Sequence, residues 1–340
     1  MLTAQDIQGL YAIIPTPALP NAESLDARDT VDLVETERVI NALIQDGISG
    51  LIVLGTTGEC ATLSQSDYEA FVACVLETVK KRIPTFVGTS ALGGHEVANR
   101  LHFIKDRGAD GTLLGLPMWQ PLVDVEAINF YRQVSELFPQ LAVMVYANSR
   151  AFRYSFPLEF WEAVAREAPT VCAAKHSRPG NLVKIIKASK GRINFVPHEM
   201  SVKKFYNLSP QTTTACWATS AAMGPAPACA IMEAIQQKNS QAIETLAEAI
   251  DWAATPIHPI VTDAEVFASY NIQLEKLRIN AAGYCKAGPM RPPYNYMPEE
   301  FKLAAEECGR RWALLCDNYQ GNFHFKEEVW KISHRSNPRN

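Results

Sequence analysis

Lys175 is the residue whose setting is least ordinary for its type. It ends an apolar run, Val171-Cys172-Ala173-Ala174-Lys175, whereas most other lysines fall on polar helix faces or in loops. A lysine drawn out of water loses part of its preference for the charged form. A neutral amine attacks ketones and aldehydes and forms a Schiff base. The preceding apolar run closes on Val145-Tyr146-Ala147-Asn148, with a phenol that can shuttle protons during imine formation and carbon–carbon cleavage. Upstream, Gly55-Thr56-Thr57-Gly58-Glu59-Cys60 brackets two hydroxyls between glycines. Backbone N–H groups and threonine hydroxyls in such a turn suit a small anion, for example a carboxylate. Each signal also has an ordinary structural reading: a lysine paired with a buried carboxylate, a tyrosine closing a strand, a tight turn.

For these residues to meet, the chain must bring strand ends together. Eight short apolar runs recur, at 11–17, 50–55, 85–90, 111–117, 142–148, 171–176, 193–198 and 212–218. Helical periodicity fills the gaps. Val39, Ile40, Leu43 and Ile44 form one such face, stopped by Gly47. Tyr68, Phe71, Val72, Val75 and Val79 form another, opened by a Ser66-x-x-Glu69 capping box. Val97, Leu101 and Ile104 form a third, stopped by Gly108. Runs such as Leu51-Ile52-Val53-Leu54 lack polar alternation, as parallel strands covered on both faces do. Eight β-then-α units over roughly 240 residues match the α/β class and the (β/α)8 TIM barrel, for which about 250 residues is typical. A doubly wound sheet would ask for a glycine-rich phosphate turn after its first strand, where this chain has Pro15-Thr16-Pro17. The expected organisation is a barrel over residues 1–238 and a helical segment packed on it over 239–318, with helices near 239–254, 262–283 and 297–318. A poorly packed or tethering tail follows over 319–340, carrying His324, Lys326, Lys331, His334 and Arg335. On such a barrel the carboxyl ends of the strands form the active-site face. Lys175, Tyr146 and the Thr56-Thr57 turn then converge as a site for an α-keto acid. The amine attacks the keto carbon, the turn holds the carboxylate and the phenol moves protons.

With these motifs in this order, the chain resembles the dihydrodipicolinate synthase/N-acetylneuraminate lyase superfamily over nearly the whole barrel. The resemblance implies a pyruvate-handling class I lyase, typically homotetrameric. It assigns Lys175 as the Schiff-base residue, Tyr146 as the proton shuttle, and Thr56 and Thr57 as carboxylate ligands, with Gly58 and Glu59 completing the turn. No cofactor beyond the covalent adduct on Lys175 is implied. Longer runs are similar to the trans-o-hydroxybenzylidenepyruvate and trans-2'-carboxybenzalpyruvate hydratase-aldolases, through to about residue 318. They are Gly111-Thr112-Leu113-Leu114-Gly115-Leu116-Pro117-Met118-Trp119, Tyr270-Asn271-Ile272 with Leu274-Glu275-Lys276, and Lys286-Ala287-Gly288-Pro289 leading to Arg291-Pro292-Pro293-Tyr294-Asn295. This branch implies pyruvate and an aromatic aldehyde as partners.

An aryl ring needs an apolar, partly aromatic pocket, for which Trp119, after the fourth run, and Trp217, near the end of the eighth, are suited. Asn148 and Asn271 can place a water or hold a hydroxyl, Asn271 mainly by the resemblance. His176, Arg178 and His198 can meet an ortho substituent, and Arg178 offers a carboxylate the bidentate geometry it would need. Two departures stand out. Lysine-pathway synthases usually carry Tyr-Asn-x-Pro followed by an arginine; here the run is Tyr146-Ala147-Asn148-Ser149-Arg150, with Arg150 one position short. His176-Ser177-Arg178-Pro179-Gly180 differs from the Tyr-Leu-Gly-type run of hydroxybenzylidenepyruvate enzymes. The ring substituent therefore stays open.

Composition narrows the rest. The 340 residues are 47% apolar and 20% charged, with a formal net charge of −4. These values exclude disorder, which needs low hydrophobicity and high net charge. They also give no electrostatic reason to expect nucleic acid. No apolar stretch nears the roughly 20 residues of a membrane helix. Met1-Leu2-Thr3-Ala4-Gln5-Asp6 lacks the layout of a signal peptide. Eight cysteines without a CxxC pair read as free buried thiols in a reducing compartment, and the expected location is cytoplasmic. The seven histidines form no HxH or HExxH motif, so no metal site is expected. Other readings stay open: a lysine-pathway synthase, a sugar-acid lyase, a keto-acid-binding barrel without catalysis, or a metal-dependent aldolase.

Overall fold

The computed structural model describes residues 1–318, so the expected tail over 319–340 lies outside the described residues. Each of the eight apolar runs overlaps a strand. These are β1 (Gly9–Ile13), β2 (Gly50–Val53), β3 (Thr85–Gly88), β4 (Gly111–Leu114), β5 (Ala142–Tyr146), β6 (Val171–Lys175), β7 (Asn194–Val196) and β8 (Ala215–Ala218). They form one parallel sheet in the order β7-β6-β5-β4-β3-β2-β1-β8. A single parallel bridge, His198 to Trp217, brings β7 and β8 together and closes the ring as a (β/α)8 barrel. The strands are shorter than the runs because apolar residues continue past the last ladder bond into the mouth. β1 starts two residues before its run, and the run's end is Pro15-Thr16-Pro17, whose prolines have no N–H to donate.

Helices follow the strands: α1 (Leu33–Gln45), α2 (Gln65–Val79), α3 (Gly94–Asp106), α4 (Asp124–Leu137), α5 (Ser149–Phe152), α6 (Leu158–Glu167), α7 (Leu182–Ala188), α8 (Val202–Leu208) and α9 (Ala226–Gln236), the short α5 lying at the mouth. The cap of α2 is Ser64, whose hydroxyl accepts from the Asp67 amide, and not the Ser66–Glu69 pair. Ser64 holds the extended backbone an N-cap requires, while Ser66 is already helical. Beyond the barrel come α10 (Ser240–Ala254), α11 (His258–Thr262), α12 (Ala264–Ala282) and α13 (Glu299–Asp317). α12 is kinked at Tyr270 (φ −124°, ψ 17°). Ile243, Leu246, Ile279, Trp312 and Leu315 from this region join the main core, and a second small core gathers Ile257, Ile260, Leu274 and Met297. All eight cysteines are free thiols. Among the described residues, no helix is long and apolar enough to cross a membrane.

Candidate active site at the barrel mouth

The pairing of β5 with β6 slips by one residue. Val143 faces Val171, but Met144 faces Ala173, so Cys172 is the extra residue. The slip puts Tyr146 directly opposite Lys175 at the carboxyl ends of both strands. The Lys175 side chain is buried, with Nζ 3.3 Å from the Trp217 ring centroid and 4.7 Å from that of Tyr146. Burial pushes its ammonium below the ordinary lysine range, and Arg150 adds to that push. Tyr146, Glu275 and Glu199 pull the other way without overcoming it.

The Tyr146 hydroxyl is 2.8 Å from Thr56 Oγ1, and Asn148 Nδ2 donates to it at 3.3 Å. Burial alone would push the phenol up. The charge of protonated Lys175 and hydrogen bonds from Thr56 and Asn148 hold it below its usual range. The other end of the Asn148 amide fixes that side chain in place, because its Oδ1 caps α5, accepting from the Arg150 and Ala151 amides at 3.2 Å each. Phenol and threonine hydroxyl thus form a hydrogen-bonded pair beside the Lys175 amine, which lies over the phenol ring.

The threonine turn is tightly folded. The Glu59 and Cys60 amides donate to the Thr56 and Gly55 carbonyls. A side chain on Gly58 would put a Cβ 2.7 Å from the Leu54 nitrogen, so only glycine fits there. Thr57 is buried at this turn. Glu59, expected among the ligands, lines the cavity beside Thr56 with an unpartnered buried Oε1, and through Oε2 it also anchors the turn. Its side chain is fully buried and ion-paired with Arg291 Nη1 at 2.6 Å and Lys276 Nζ at 3.1 Å.

A cavity of about 220 Å³ opens beside Thr56 and Tyr146, with Met118, Phe152, Asn271 and Tyr294 in its wall. Asn271, from α12, has a buried Oδ1 with no partner, and the Trp217 Nε1 is likewise unpartnered. Such groups invite a hydrogen-bonding ligand, because an orphaned buried polar atom is costly. The His198 ring lies 4.4 Å from the Trp217 ring, and its Nε2 is 2.8 Å from Glu199 Oε2.

Other expected residues lie elsewhere. Trp119 is 77% exposed, and its neighbour Met118 faces the cavity. Arg178 is exposed on the loop after β6. Arg150 stacks over the Phe267 ring at 4.5 Å and donates to the Ala264 carbonyl. His176 points outward, because successive strand residues face opposite sides of a sheet. Its ring lies among Trp161, Phe195 and Phe205, and burial lowers its pKa to about 4. The unfolded chain should therefore bind a proton at His176 that the fold refuses. Stability should fall by up to about 3 kcal/mol as pH drops from 6.5 through 4. Urea midpoints for the protein and for His176→Phe check this: the variant should lose that part of the pH dependence.

Two buried carboxylates near Lys175 escaped sequence reasoning. Glu199 accepts from the Ser220 hydroxyl, and its pKa stays low despite burial because His198, Ser220 and Arg278 favour the anion. Glu275 pairs with Arg278 at 2.6 Å. The available signal was in α12, where Gln273, Glu275, Lys276 and Arg278 crowd a helix with no clean apolar stripe.

The family model for the dihydrodipicolinate synthetase family matches residues 19–306. The trans-O-hydroxybenzylidenepyruvate hydratase-aldolase of Pseudomonas putida is 39% identical over 322 residues, covering 94% of this chain and 96% of that protein. The trans-2'-carboxybenzalpyruvate hydratase-aldolase of Nocardioides sp. (strain KP7) is 35% identical over 322 residues, with the same coverage. A solved structure described as PhdJ bound to a substrate intermediate superposes with a TM-score of 0.90 at 34% identity, covering 94% of this chain and 99% of that one. The chain belongs to the dihydrodipicolinate synthetase family, in the same branch as these hydratase-aldolases.

Proposed function

We propose that the protein is a class I, Schiff-base hydratase-aldolase that cleaves a substituted trans-benzylidenepyruvate to an aromatic aldehyde and pyruvate. The observation that carries this reading is a buried amine, Lys175, held against the Trp217 ring beside a phenol bonded to Thr56. The similarity to named hydratase-aldolases over 94% of the chain supports the substrate class.

The keto carbon condenses with the Lys175 amine and water leaves, giving an iminium conjugated to the benzylic double bond. A second water adds at the benzylic carbon, and the neighbouring carbon takes up a proton. Loss of the new hydroxyl's proton then breaks the carbon–carbon bond, releasing the aldehyde and leaving an enamine. Protonation of the enamine and hydrolysis free pyruvate and the amine. The iminium is the electron sink throughout, so the scheme calls for no metal or further cofactor. Tyr146 is placed to carry protons among these steps. Thr56 and Thr57 receive the carboxylate, Asn271 offers an acceptor to the water or hydroxyl, and Trp217 offers an aromatic face. The reading includes a homotetramer and a cytoplasmic setting, the latter supported by eight free thiols.

The test is condensation of pyruvate with 2-hydroxy-, 2-carboxy- and unsubstituted benzaldehyde. Turnover with an aromatic aldehyde, and a borohydride-trapped pyruvate adduct confined to Lys175, are expected. Absence of both would overturn the reading.

A further inference from the structure

We infer that Arg291 and Lys276 are positioning residues for the keto-acid carboxylate, acting by holding Glu59 and through it the Thr56–Thr57 turn. The inference rests on the proposed role of that turn.

Arg291 is buried and spreads its donors over three chain segments. It reaches Glu59 Oε2 at 2.6 Å, the Thr16 carbonyl at 3.2 Å, and the Thr30 hydroxyl and carbonyl at 2.9 and 3.1 Å. Lys276, 1% exposed, binds Glu59 Oε2 at 3.1 Å and the Pro289 carbonyl at 2.7 Å. The Thr16 hydroxyl donates to the Gly58 carbonyl at 2.8 Å, gripping the turn from the β1 side.

Two observations argue that this clamp serves the turn and not stability alone. First, both flanks of the turn are bent into the left-handed region by residues with side chains, Leu54 at φ 61° and Glu59 at φ 58°. Such backbone persists only where its surroundings over-determine it, and the cations on Glu59 do so here. Second, a buried cluster of three charges is a poor route to stability, since well-packed apolar side chains of similar volume often do as well or better. What apolar side chains cannot supply is direction: a carboxylate fixed by two cations sets where the preceding backbone lies. The clamp also ties the turn to the opposite wall. Lys276 is on α12, which brings Asn271 to the same cavity as Thr56.

The experiment is steady-state condensation with pyruvate varied at saturating aromatic aldehyde, for Arg291→Lys, Lys276→Met and Lys276→Arg. Each variant is assayed well below its own melting temperature. Arg291→Lys and Lys276→Met should raise the pyruvate KM roughly tenfold with a smaller fall in kcat, because a misplaced turn weakens carboxylate capture first and loosens the Thr56 contact to Tyr146 second. Lys276→Arg, which restores the cation, should lie near the native KM. A loss carried mainly by kcat, or no change in either constant, would overturn the inference. Should Arg291→Lys fail to fold, the two Lys276 variants decide the matter by the same criterion. Native protein that never condenses or traps pyruvate would overturn both the inference and the functional reading, whereas native turnover with an unmoved KM in the variants overturns the inference alone.

Discussion

Replacing Lys175 with alanine should lower turnover in both directions on the order of 10⁴-fold or more, because it removes the proposed covalent electron sink. The pyruvate adduct should disappear from the borohydride-treated protein. A rate near the native one would rule out the imine route. The same residue carries an opposite effect on stability. Burial lowers the Lys175 pKa, so between that lowered value and 10.5 the unfolded chain binds a proton that the folded chain does not. Stability should therefore rise with pH across that window. Lys175→Met, an apolar replacement of similar length, should remove this dependence and melt at a higher temperature while remaining inactive. Thermal scans from neutral pH upward test the sign. In the native protein, imine formation should speed up with rising pH as the neutral amine becomes more abundant.

The second large effect is expected at Tyr146. Tyr146→Phe should lower kcat by roughly 10²–10⁴-fold, the usual contribution of a positioned acid–base group. The ring itself is kept, with its contact to Phe152, so the fold should lose only the hydroxyl's bonds to Thr56 and Asn148. That amounts to about 1–2 kcal/mol, visible as a modest change in denaturant midpoint. Near-native kcat with a large fall in stability would make this tyrosine structural and would move the proton shuttle elsewhere. Because the low pKa of the phenol depends on the Lys175 charge and two hydrogen bonds, Asn148→Ala should shift the pH–rate profile toward higher pH.

The strands, and the groups proposed to react, stand out along the chain for a local reason. A parallel strand buried on both faces must be almost wholly apolar, so eight such runs stand out, and one lysine closing such a run is conspicuous. The alternation of strand side chains also held the information that Lys175 and His176 face opposite ways. The expectation that His176 meets substrate overlooked it. The residues surrounding the chemistry were less legible. Trp119 follows β4 and Trp217 lies within β8, and both look suited to a ring pocket along the chain, yet one is 77% exposed and the ring of the other lies 3.3 Å from the Lys175 amine. Glu59 sits in the ligand motif but serves two cations more than 200 residues away in sequence.

Patterns that act through nearest neighbours along the chain were therefore enough for the barrel, the order of its units and the identity of the amine, phenol and hydroxyls that converge at its mouth. The one-residue slip that aligns Tyr146 with Lys175, the buried charges of α12 and the clamp on Glu59 belong to the tertiary structure. A charge on a helix reads as solvated until its partner, brought from a distant segment, takes it out of water, and only the closed fold supplies that partner.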